Sequence, residues 1–375
     1  MTSAEIGIIG CAIAGLSAAL GVAKAGHRAV IFGQPHHDLA GALQLAPNGF
    51  AALETLDCLT EMTPHLTRLN AIEIRSARTN ACLSIIDHDA PQRRDYAAIG
   101  RGALVTQLYK LAQAHDLIRF CDDSVASITA TEQETSLITT ADETHHFDLI
   151  IGADGQNGIA RAFVGSANNT QLITRQALRA CLPATDLPQN FSANRTQLWL
   201  GDGYHLVSYA YHDPHADTRM INLVLCTDKS RAEPSKIAAS LLSTKPVLAP
   251  LCDADIAWHA AALPPANQLS SWRKHGVVLI GDAAHFMPPH LAQGAGQTLE
   301  DAAQLALALK DAEDIREAAR KWAIARQQSL CPIIEKAEAT GTIMRLKGPL
   351  ALIRNAAVEF GGQRLVEKWL SRVWQ

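Results

Sequence analysis

The sequence lacks paired cysteines, a strong excess of one charge and long apolar runs. Its eight cysteines are scattered, with no Cys-x-x-Cys pair, which favours reduced thiols in the cytoplasm over a disulfide framework. Lys and Arg number 33 against 37 Asp and Glu, so a nucleic-acid partner is not expected. No apolar run reaches the ~18 residues of a transmembrane helix. The first apolar run follows Glu5, not a basic segment, and so does not resemble a signal peptide.

Metal-binding patterns are also missing. The 15 histidines include two adjacent pairs, His36-His37 and His145-His146, but no His/Cys cluster has zinc spacing. We therefore predict no metal site. The hydrophobic content of 48% and charged content of 19% over 375 residues indicate a globular chain with one large or two modest domains.

The run from Gly276 to Asp301 carries the most informative pattern. Val277 to Ile280 predicts a buried strand, and Asp282 follows its carboxyl end, where open α/β sheets bind ligands. Helical spacing begins at Thr298. Glycines just before a helix let a ligand approach the backbone, and the free amides and helix dipole there favour an anion by roughly 0.3–1 kcal/mol. A carboxylate for hydroxyls and amides for an anion are what a reduced flavin needs.

The amino-terminal residues predict a βαβ unit. Glu5 to Ile9 and Arg28 to Phe32 are strand-like, and Ala14 to Ala25 has helical spacing. The turn between the first strand and the helix reads Gly10-Cys-Ala12-Ile13-Ala14-Gly15. Ala12 replaces the middle glycine of the G-x-G-x-x-G pattern, which brings the backbone close to a pyrophosphate.

The turn from Gly10 to Gly15 and two further motifs together resemble a known family. Gly281-Asp282-Ala-Ala-His, Pro289 and Gln293-Gly294-Ala295-Gly296 resemble the second flavin motif of the single-component (class A) FAD-dependent aromatic hydroxylases, most closely the salicylate hydroxylase-like branch. Gly152-Ala-Asp154-Gly155 resembles the family's Asp-Gly motif. One departure is Gly33-Gln34, where the family usually has Glu on the ribose. Gln34 lacks charge assistance, so we expect looser FAD binding and tighter binding in Gly33→Glu.

The resemblance implies an α/β fold: a Rossmann-like FAD-binding domain of the p-hydroxybenzoate hydroxylase type, with an antiparallel β-sheet substrate domain. We expect residues 1–70, 98–175 and 262–345 in the first domain, 71–97 and 176–261 in the second, and 346–375 as a C-terminal helix on the protein body. The predicted cofactor-binding residues are Gly10, Ala12, Ile13, Ala14, Gly15, Gln34, Gln44, Arg101, Val125, Asp154, Gly281, Asp282, Gly294, Ala295, Gly296 and Gln297.

The matching positions in members of the family suggest roles for several of these residues. Arg101 matches an Arg that reaches the flavin phosphate and ribityl chain, Val125 lies where relatives contact adenine through the backbone, and Gln44 lies in a loop along the flavin ring. Pro289 is expected to face the flavin and is a catalytic candidate.

The segment 170–262 predicts the substrate side. Its short strand-like runs include one in which alternation puts His205, Val207, Tyr209 and Tyr211 on a single face. An imidazole and phenols suit an aromatic ring. We consider His205 a candidate general base for a phenol, against the alternative of a structural histidine. Tyr209 is a second catalytic candidate, with packing as its alternative.

The resemblance implies that NADH or NADPH reduces FAD, and that O₂ then forms a flavin C4a-hydroperoxide that hydroxylates a small phenolic or hydroxylated aromatic acid. A same-fold oxidase, reductase or epoxidase is an alternative. A nucleotide-binding relative without catalysis is another, motivated by Ala12 and Gly33. We expect a monomer or homodimer, and the sequence does not separate NADH from NADPH.

Overall fold

The computed structural model describes residues 3–88, 95–165, 175–186, 191–213, 217–229, 232–253, 256–264, 269–371 and 373–374. The predicted domain ranges also include stretches outside these residues, such as 89–94 and 166–174. The division into domains stays a prediction.

The described strands are β1 Glu5–Ile9, β2 Arg28–Phe32, β3 Ala42–Leu45, β4 Thr67–Arg68, β5 Ala71–Ser76, β6 Cys82–Asp87, β7 Ala97–Gly100, β8 Ile118–Cys121, β9 Val125–Ala130, β10 Thr135–Thr139, β11 Thr144–His146, β12 Leu149–Gly152, β13 Gln176–Pro183, β14 Thr196–Leu200, β15 Tyr204–Asp213, β16 Thr218–Thr227, β17 His259–Ala262, β18 Arg273–Lys274 and β19 Val277–Leu279.

The helices are α1 Ile13–Lys24, α2 Pro47–Thr55, α3 Leu59–Met62, α4 Arg101–Gln113, α5 Ile159–Val164, α6 Pro234–Leu242, α7 Pro250–Asp253, α8 Asp282–His285, α9 Gly294–Leu309, α10 Ile315–Met344 and α11 Pro349–Ser371. Short 3₁₀ turns span Thr63–His65, Ala184–Asp186 and Pro289–Leu291.

The first sheet brings the three sequence motifs together. Its order is β18-β19-β12-β1-β2-β8, and β19, β12, β1 and β2 run parallel as neighbours. Parallel strands end at the same edge of a sheet, so the turns after β1, β12 and β19 lie side by side. Each of these three turns begins one of the predicted flavin motifs.

The second sheet has seven strands in the order β17-β13-β16-β15-β14-β5-β6. All its pairs are antiparallel except β14 with β5. One face, with Leu178, Leu206 and Leu223, packs into a core that α6 closes. The predicted alternation along β15 holds, so His205 and Tyr209 lie on the opposite face. This face meets the short sheet β3-β7-β4: the Tyr209 hydroxyl donates to the carbonyl of Ala42 in β3 at 2.8 Å.

Two helix boundaries differ from the prediction. Helix α9 begins at Gly294, not Thr298, so the glycine amides form its first turn. The sequence predicts two helices on either side of Pro332, from Ile315 to Leu330 and from Pro332 to Met344, but the structure has one helix, α10. Burial of Leu330 and Ile334 on either side of the proline holds the helix together where the proline removes a backbone donor.

Helix α11 packs near the outer strands of the second sheet. Arg354 is buried and donates to the carbonyls of Gly201, at 2.9 Å, and Met344, at 2.6 Å. The helix breaks at Gly362, whose φ of 54° is left-handed. Leu352 and Phe360 remain exposed on its outer side.

A buried polar network joins the strand-turn-helix motif to α10. The Asp301 carboxylate accepts from the Gly281 amide at 2.8 Å, from Arg326 Nε at 2.7 Å and from His285 Nε2 at 2.5 Å. Burial alone would raise the pKa of Asp301, but His285, Arg326 and the hydrogen bonds outweigh it and lower that pKa. Arg326 also donates to the Gln297 side chain at 2.7 Å.

We predict that Asp301→Asn destabilises the protein by about 3–5 kcal/mol, because it leaves the buried guanidinium of Arg326 without its closest counter-charge. Chemical denaturation of the apoprotein measures this. Glu317→Gln breaks an exposed ion pair with Arg320 and should leave the denaturation midpoint in place. Equal midpoints for the two variants would contradict the role given to Asp301.

Candidate active site

Glycines shape the turn after β1. Gly10 has a φ of +111°, and a Cβ there would lie 2.5 Å from the carbonyl oxygen of Ala153. A Cβ on Gly15 would lie 1.8 Å from the carbonyl oxygen of Gly10. Both glycines are therefore required by protein packing alone. Ala12 is exposed at the N-cap of α1, so its methyl group displaces no protein atom and the amides of Ile13 and Ala14 open the helix beside it.

Asp282 presents an exposed carboxylate at the carboxyl edge of the first sheet. Gly281 makes the turn possible, because its φ of 57° and ψ of −144° belong to glycine. The Asp282 side chain is reached by solvent, yet surrounding protein desolvates it and raises its pKa against the opposing effect of His285, Arg101 and Arg179. A side chain that solvent reaches, but that protein atoms largely surround, is typical of a residue that lines a cleft. None of the described residues hydrogen-bonds this carboxylate, so it is available to ligand hydroxyls.

The start of α9 is open in the same way. A Cβ on Gly294 would meet nothing within 4 Å, whereas one on Gly296 would lie 3.2 Å from the Asn48 amide. The helix has no side-chain N-cap bond and no acidic residue in its first turn. Its first amides therefore remain able to bind an anion. Gln297 is buried and serves the protein instead, donating to Gln293 at 2.9 Å and accepting from Arg326.

Two arginines share the cleft with Asp282. Arg101 begins α4, and its backbone amide donates to Gly41 at 2.9 Å. Burial lowers the pKa of Arg101, as does Arg179, while Tyr209 and Asp282 oppose this. These groups are therefore close enough to influence one another.

Arg179 was not among the predicted site residues. It points from β13 to the cleft side, and its Nε atom is buried without a hydrogen-bond partner among the described residues. The signal was present in the sequence. In β13, Leu178, Ala180 and Leu182 alternate with Arg179 and Cys181, and a charge inside a strand with one apolar face marks the other face as polar.

Asp154 and Arg161 organise the turn after β12. The Asp154 carboxylate accepts from the Ala160 amide at 2.9 Å, and Gly158 leaves it room, since a Cβ there would lie 2.0 Å from the Asp154 Cγ. Burial raises the pKa of Asp154. Arg161 donates to the Ala283 carbonyl at 2.6 Å and so ties this turn to the one that carries Asp282.

Several predicted cofactor residues are used differently by the protein. The Gln44 side chain is buried, donates to Thr196 at 3.0 Å and accepts from Tyr96 at 2.7 Å, so only the backbone of β3 is left for a ligand. Gln34 is exposed after β2, and Val125 is buried at the start of β9.

The expectation that Gly33→Glu tightens FAD binding needs correction. Gly33 has a φ of +111°, a conformation that L-residues with side chains rarely adopt. A glutamate at this position would strain the backbone at the end of β2. That strain would offset part of the binding free energy gained from a hydrogen bond to the ribose.

The face of the second sheet that meets the β3-β7-β4 sheet has two polar ends. At one end, Tyr209 is committed to the Ala42 carbonyl, and burial raises its pKa to about 12. At the other end, the His205 ring lies 5.2 Å from that of His290. Burial, His290 and Arg345 lower the pKa of His205 well below its usual range. Val207 and Val224 lie between the ends and are partly exposed, as is Pro289 in the turn opposite.

Comparisons with known proteins agree with this geometry. The FAD binding domain family model matches residues 3–337. The chain is 25% identical to 3-hydroxybenzoate 6-hydroxylase of Klebsiella oxytoca, over 84% of this chain and 82% of that one. It is 27% identical to 3-hydroxybenzoate 6-hydroxylase 1 of Aquipseudomonas alcaligenes, over 93% and 91%.

Solved structures share the fold. HpxO of Klebsiella pneumoniae, complexed with FAD and uric acid, superimposes with a TM-score of 0.83 at 18% identity, over 99% of this chain and 96% of that one. A salicylate hydroxylase substrate complex superimposes with a TM-score of 0.82 at 19% identity, over 99% and 95%.

The predicted fold class and FAD cofactor are confirmed by these matches. Within the described residues, no helix is both long and apolar enough to cross a bilayer. Because the family model covers most of the sequence, the chain belongs to the FAD binding domain family, and within it to the single-component FAD-dependent monooxygenases of the aromatic hydroxylase type.

Proposed function

We propose that this protein uses NADH or NADPH and O₂ to hydroxylate a small aromatic acid that carries a ring hydroxyl. The observation that carries the proposal is the cleft itself. Asp282 and Arg179 face it from the two sheets. Among the residues that the structure describes, the Asp282 carboxylate accepts no hydrogen bond and the buried Nε of Arg179 has no acceptor. Among relatives, the proteins named above are 3-hydroxybenzoate 6-hydroxylases, and another is 3-amino-4-hydroxybenzoate 2-monooxygenase PtnB3 of Streptomyces platensis.

The residues at the edge of the first sheet fit FAD. Asp282 would accept hydrogen bonds from ribityl hydroxyls, and the amides that open α9 would face the anionic edge of the flavin. Arg101 and the turn from Gly10 to Gly15 would serve the phosphates. FAD supplies the redox chemistry, taking electrons from the nicotinamide and activating O₂. The protein contributes binding, orientation and the exclusion of water.

Arg179 supports an acidic substrate. Its side chain belongs to the second sheet, whereas the three flavin motifs follow strands of the first. A planar guanidinium binds a carboxylate through paired hydrogen bonds. The partly exposed Val207 and Val224 on the neighbouring strands would lie under the aromatic ring and keep water from it.

His205 remains the proposed hydrogen-bond partner for the phenol. Its lowered pKa keeps the imidazole neutral at physiological pH, so it can accept a proton or a hydrogen bond. The same shift makes it a weak base when the cleft holds no anion. An ionised substrate nearby would oppose the repulsion from Arg345 and restore basicity. Pro289 would face the flavin, and Tyr209 would hold β3 in place through Ala42.

We place the protein in the cytoplasm, as a monomer or homodimer. The support for the compartment is that all eight cysteines are free thiols in the structure. Size-exclusion chromatography with light scattering distinguishes the two oligomeric states.

The first experiment measures substrate-stimulated NADH and NADPH oxidation with salicylate, 3-hydroxybenzoate, 4-hydroxybenzoate and 6-hydroxynicotinate. We expect at least one acid to accelerate oxidation and to yield a product one oxygen atom heavier by mass spectrometry. Stoichiometric hydrogen peroxide without hydroxylated product, for every acid, would favour the oxidase alternative. A purified protein that takes up no FAD would favour the non-catalytic alternative.

Flavin titration tests the proposed FAD contacts. Asp282→Asn should weaken FAD binding by about 1.5–3 kcal/mol through loss of charge-assisted hydrogen bonds. Gly294→Ala should weaken it by about 1–3 kcal/mol, because the methyl occupies ligand space. Gly294→Ala should leave apoprotein stability unchanged or raised, since it adds no contact within 4 Å. Asp116→Asn, at an exposed carboxylate, is the matched control. Unaltered FAD affinity in both cleft variants would exclude this site.

Substitution of Arg179 tests the acid subsite. We expect Arg179→Gln to cost about 1.5–3 kcal/mol of substrate binding, seen as a higher KM for the best acid of the panel. The amide of the same acid should lose little affinity in this variant, since it carries no negative charge. Arg179→Lys should retain part of the affinity. If the substitution changes the KM of the acid and of the amide equally, Arg179 does not bind the carboxylate.

A further inference from the structure

Three buried polar side chains meet at one end of the substrate-facing side of the second sheet. His205 in β15, Cys226 in β16 and His290 in the turn Pro289–Leu291 bring one side-chain donor or acceptor atom each within 4.8 Å of one another. The Nδ1 atoms of both histidines are buried and have no partner among the described residues. Buried polar atoms are costly without a partner, so two at one place indicate a position for a polar group of a ligand.

Arg345 determines the tautomer of His290. Its Nη1 lies 3.1 Å from His290 Nε2, and a guanidinium can only donate. Nε2 must therefore accept, and the proton of the neutral ring lies on Nδ1. Asp228 holds the guanidinium from the other side, since Arg345 Nε donates to the Asp228 carboxylate at 3.0 Å.

The seating of the ring directs this proton away from α10. A Cβ on Gly341 would lie 2.1 Å from His290 Cδ2 and 2.3 Å from Nε2, so only glycine leaves room for that edge of the imidazole. Nδ1 is the ring atom opposite the Cδ2–Nε2 bond. It therefore points away from the helix. The centroids of the His290 and His205 rings are 5.2 Å apart.

The charges around His290 keep it neutral. Burial lowers its pKa to about 3, and Arg345 and Arg175 contribute to the same shift. The acids nearest these arginines are Asp228 and Glu338, which pair with them, and Lys347 pairs with Asp228 as well. Because this pKa lies far below that of an unfolded histidine, the ring stays neutral near physiological pH and keeps its proton on Nδ1.

The same contacts disfavour a metal ion in the cluster. A metal on His290 Nδ1 would need the lone pair there while Nε2 still accepts from Arg345, which a neutral imidazole cannot provide. A guanidinium hydrogen-bonded to the ring would also repel a cation. The cluster therefore suits a small polar group that can accept from one ring and donate to the other.

We propose that Arg345 and Asp228 are positioning residues that hold His290 as an Nδ1–H donor, and that His290 and His205 together bind the ring hydroxyl of the substrate. His290 donates to the hydroxyl oxygen, and His205 accepts the hydroxyl proton. This assignment rests on the proposed function and deepens it. The ligand class is a phenol or hydroxypyridine, and an aryl fluoride or ether of similar size is rejected because it cannot donate.

The tautomer is read directly by NMR of the full chain labelled with ¹⁵N-histidine, in which His290→Gln assigns the signal. We expect His290 to show a protonated Nδ1 and a bare Nε2, without titrating where free histidine does. Arg345→Met should release Nε2 and change this pattern, whereas Arg345→Lys should retain it. A protonated Nε2 in the wild type would overturn the proposal, and this spectrum decides even if Arg345→Met does not fold.

Binding of the hydroxyl is tested on the holoenzyme by flavin absorbance titration with 3-hydroxybenzoate and 3-fluorobenzoate. The wild type should prefer the phenol by about tenfold or more, and the preference should fall towards unity in His205→Ala and in His290→Gln. His212→Ala, on the same strand but outside the cluster, should keep it. An undiminished preference in both cluster variants would overturn the proposal.

Two further outcomes separate the hypotheses. If 3-hydroxybenzoate does not bind the wild type, the proposed substrate class is contradicted for this acid, while the NMR spectrum still decides the tautomer. If the purified protein carries stoichiometric zinc or copper that Cys226→Ser removes, the proposal fails, because the metal would hold the lone pairs assigned to hydrogen bonds.

Discussion

The buried carboxylate of Asp301 is the constraint on which the proposed flavin site depends. It accepts from the Gly281 amide, from His285 and from Arg326, and so holds the end of β19, the turn of α8 and the body of α10 against one another. Gly281 can take its left-handed conformation only because it has no side chain. Once that turn is set, the next residue, Asp282, must emerge at the carboxyl edge of the sheet. The availability of Asp282 to a ligand thus follows from a residue 19 positions further along that never reaches the cleft.

The two sheets are joined where a substrate would sit. Both polar backbone groups of Ala42 are bound by the second sheet: Tyr209 donates to its carbonyl, and its amide donates to the Asn222 side chain at 3.2 Å. Strand β3, expected beside the flavin ring, is therefore held by the sheet that carries Arg179 and His205. At the proposed site, this arrangement would fix the distance between flavin and substrate without a flexible connection. The position of Tyr209 on this face made it a catalytic candidate. Its hydroxyl instead donates a structural hydrogen bond to Ala42.

Local sequence patterns were reliable where the physical cause is local. The βαβ unit at the amino terminus, the strand before Gly281 and the alternation in β15 follow from side-chain periodicity and turn chemistry, and the structure has them. The start of α9 and the continuity of α10 through Pro332 were not evident. In both cases packing of buried residues extends a helix across residues of low propensity. The positive φ of Gly33 was equally invisible, because glycine carries no pattern of its own.

The sequence by itself determined the fold class, the cofactor and the residues at the ends of the first sheet, because each flavin motif is a contiguous strand and turn whose chemistry is readable residue by residue. Only the tertiary structure decided which side chains meet at the proposed substrate site. His205, His290 and Arg345 come from a strand, a short turn and a helix end, and their meeting depends on how the second sheet packs against α10. Arg179 reaches the cleft through the register of β13 with β16. Contacts between distant segments depend on register and packing, which neighbouring residues do not encode.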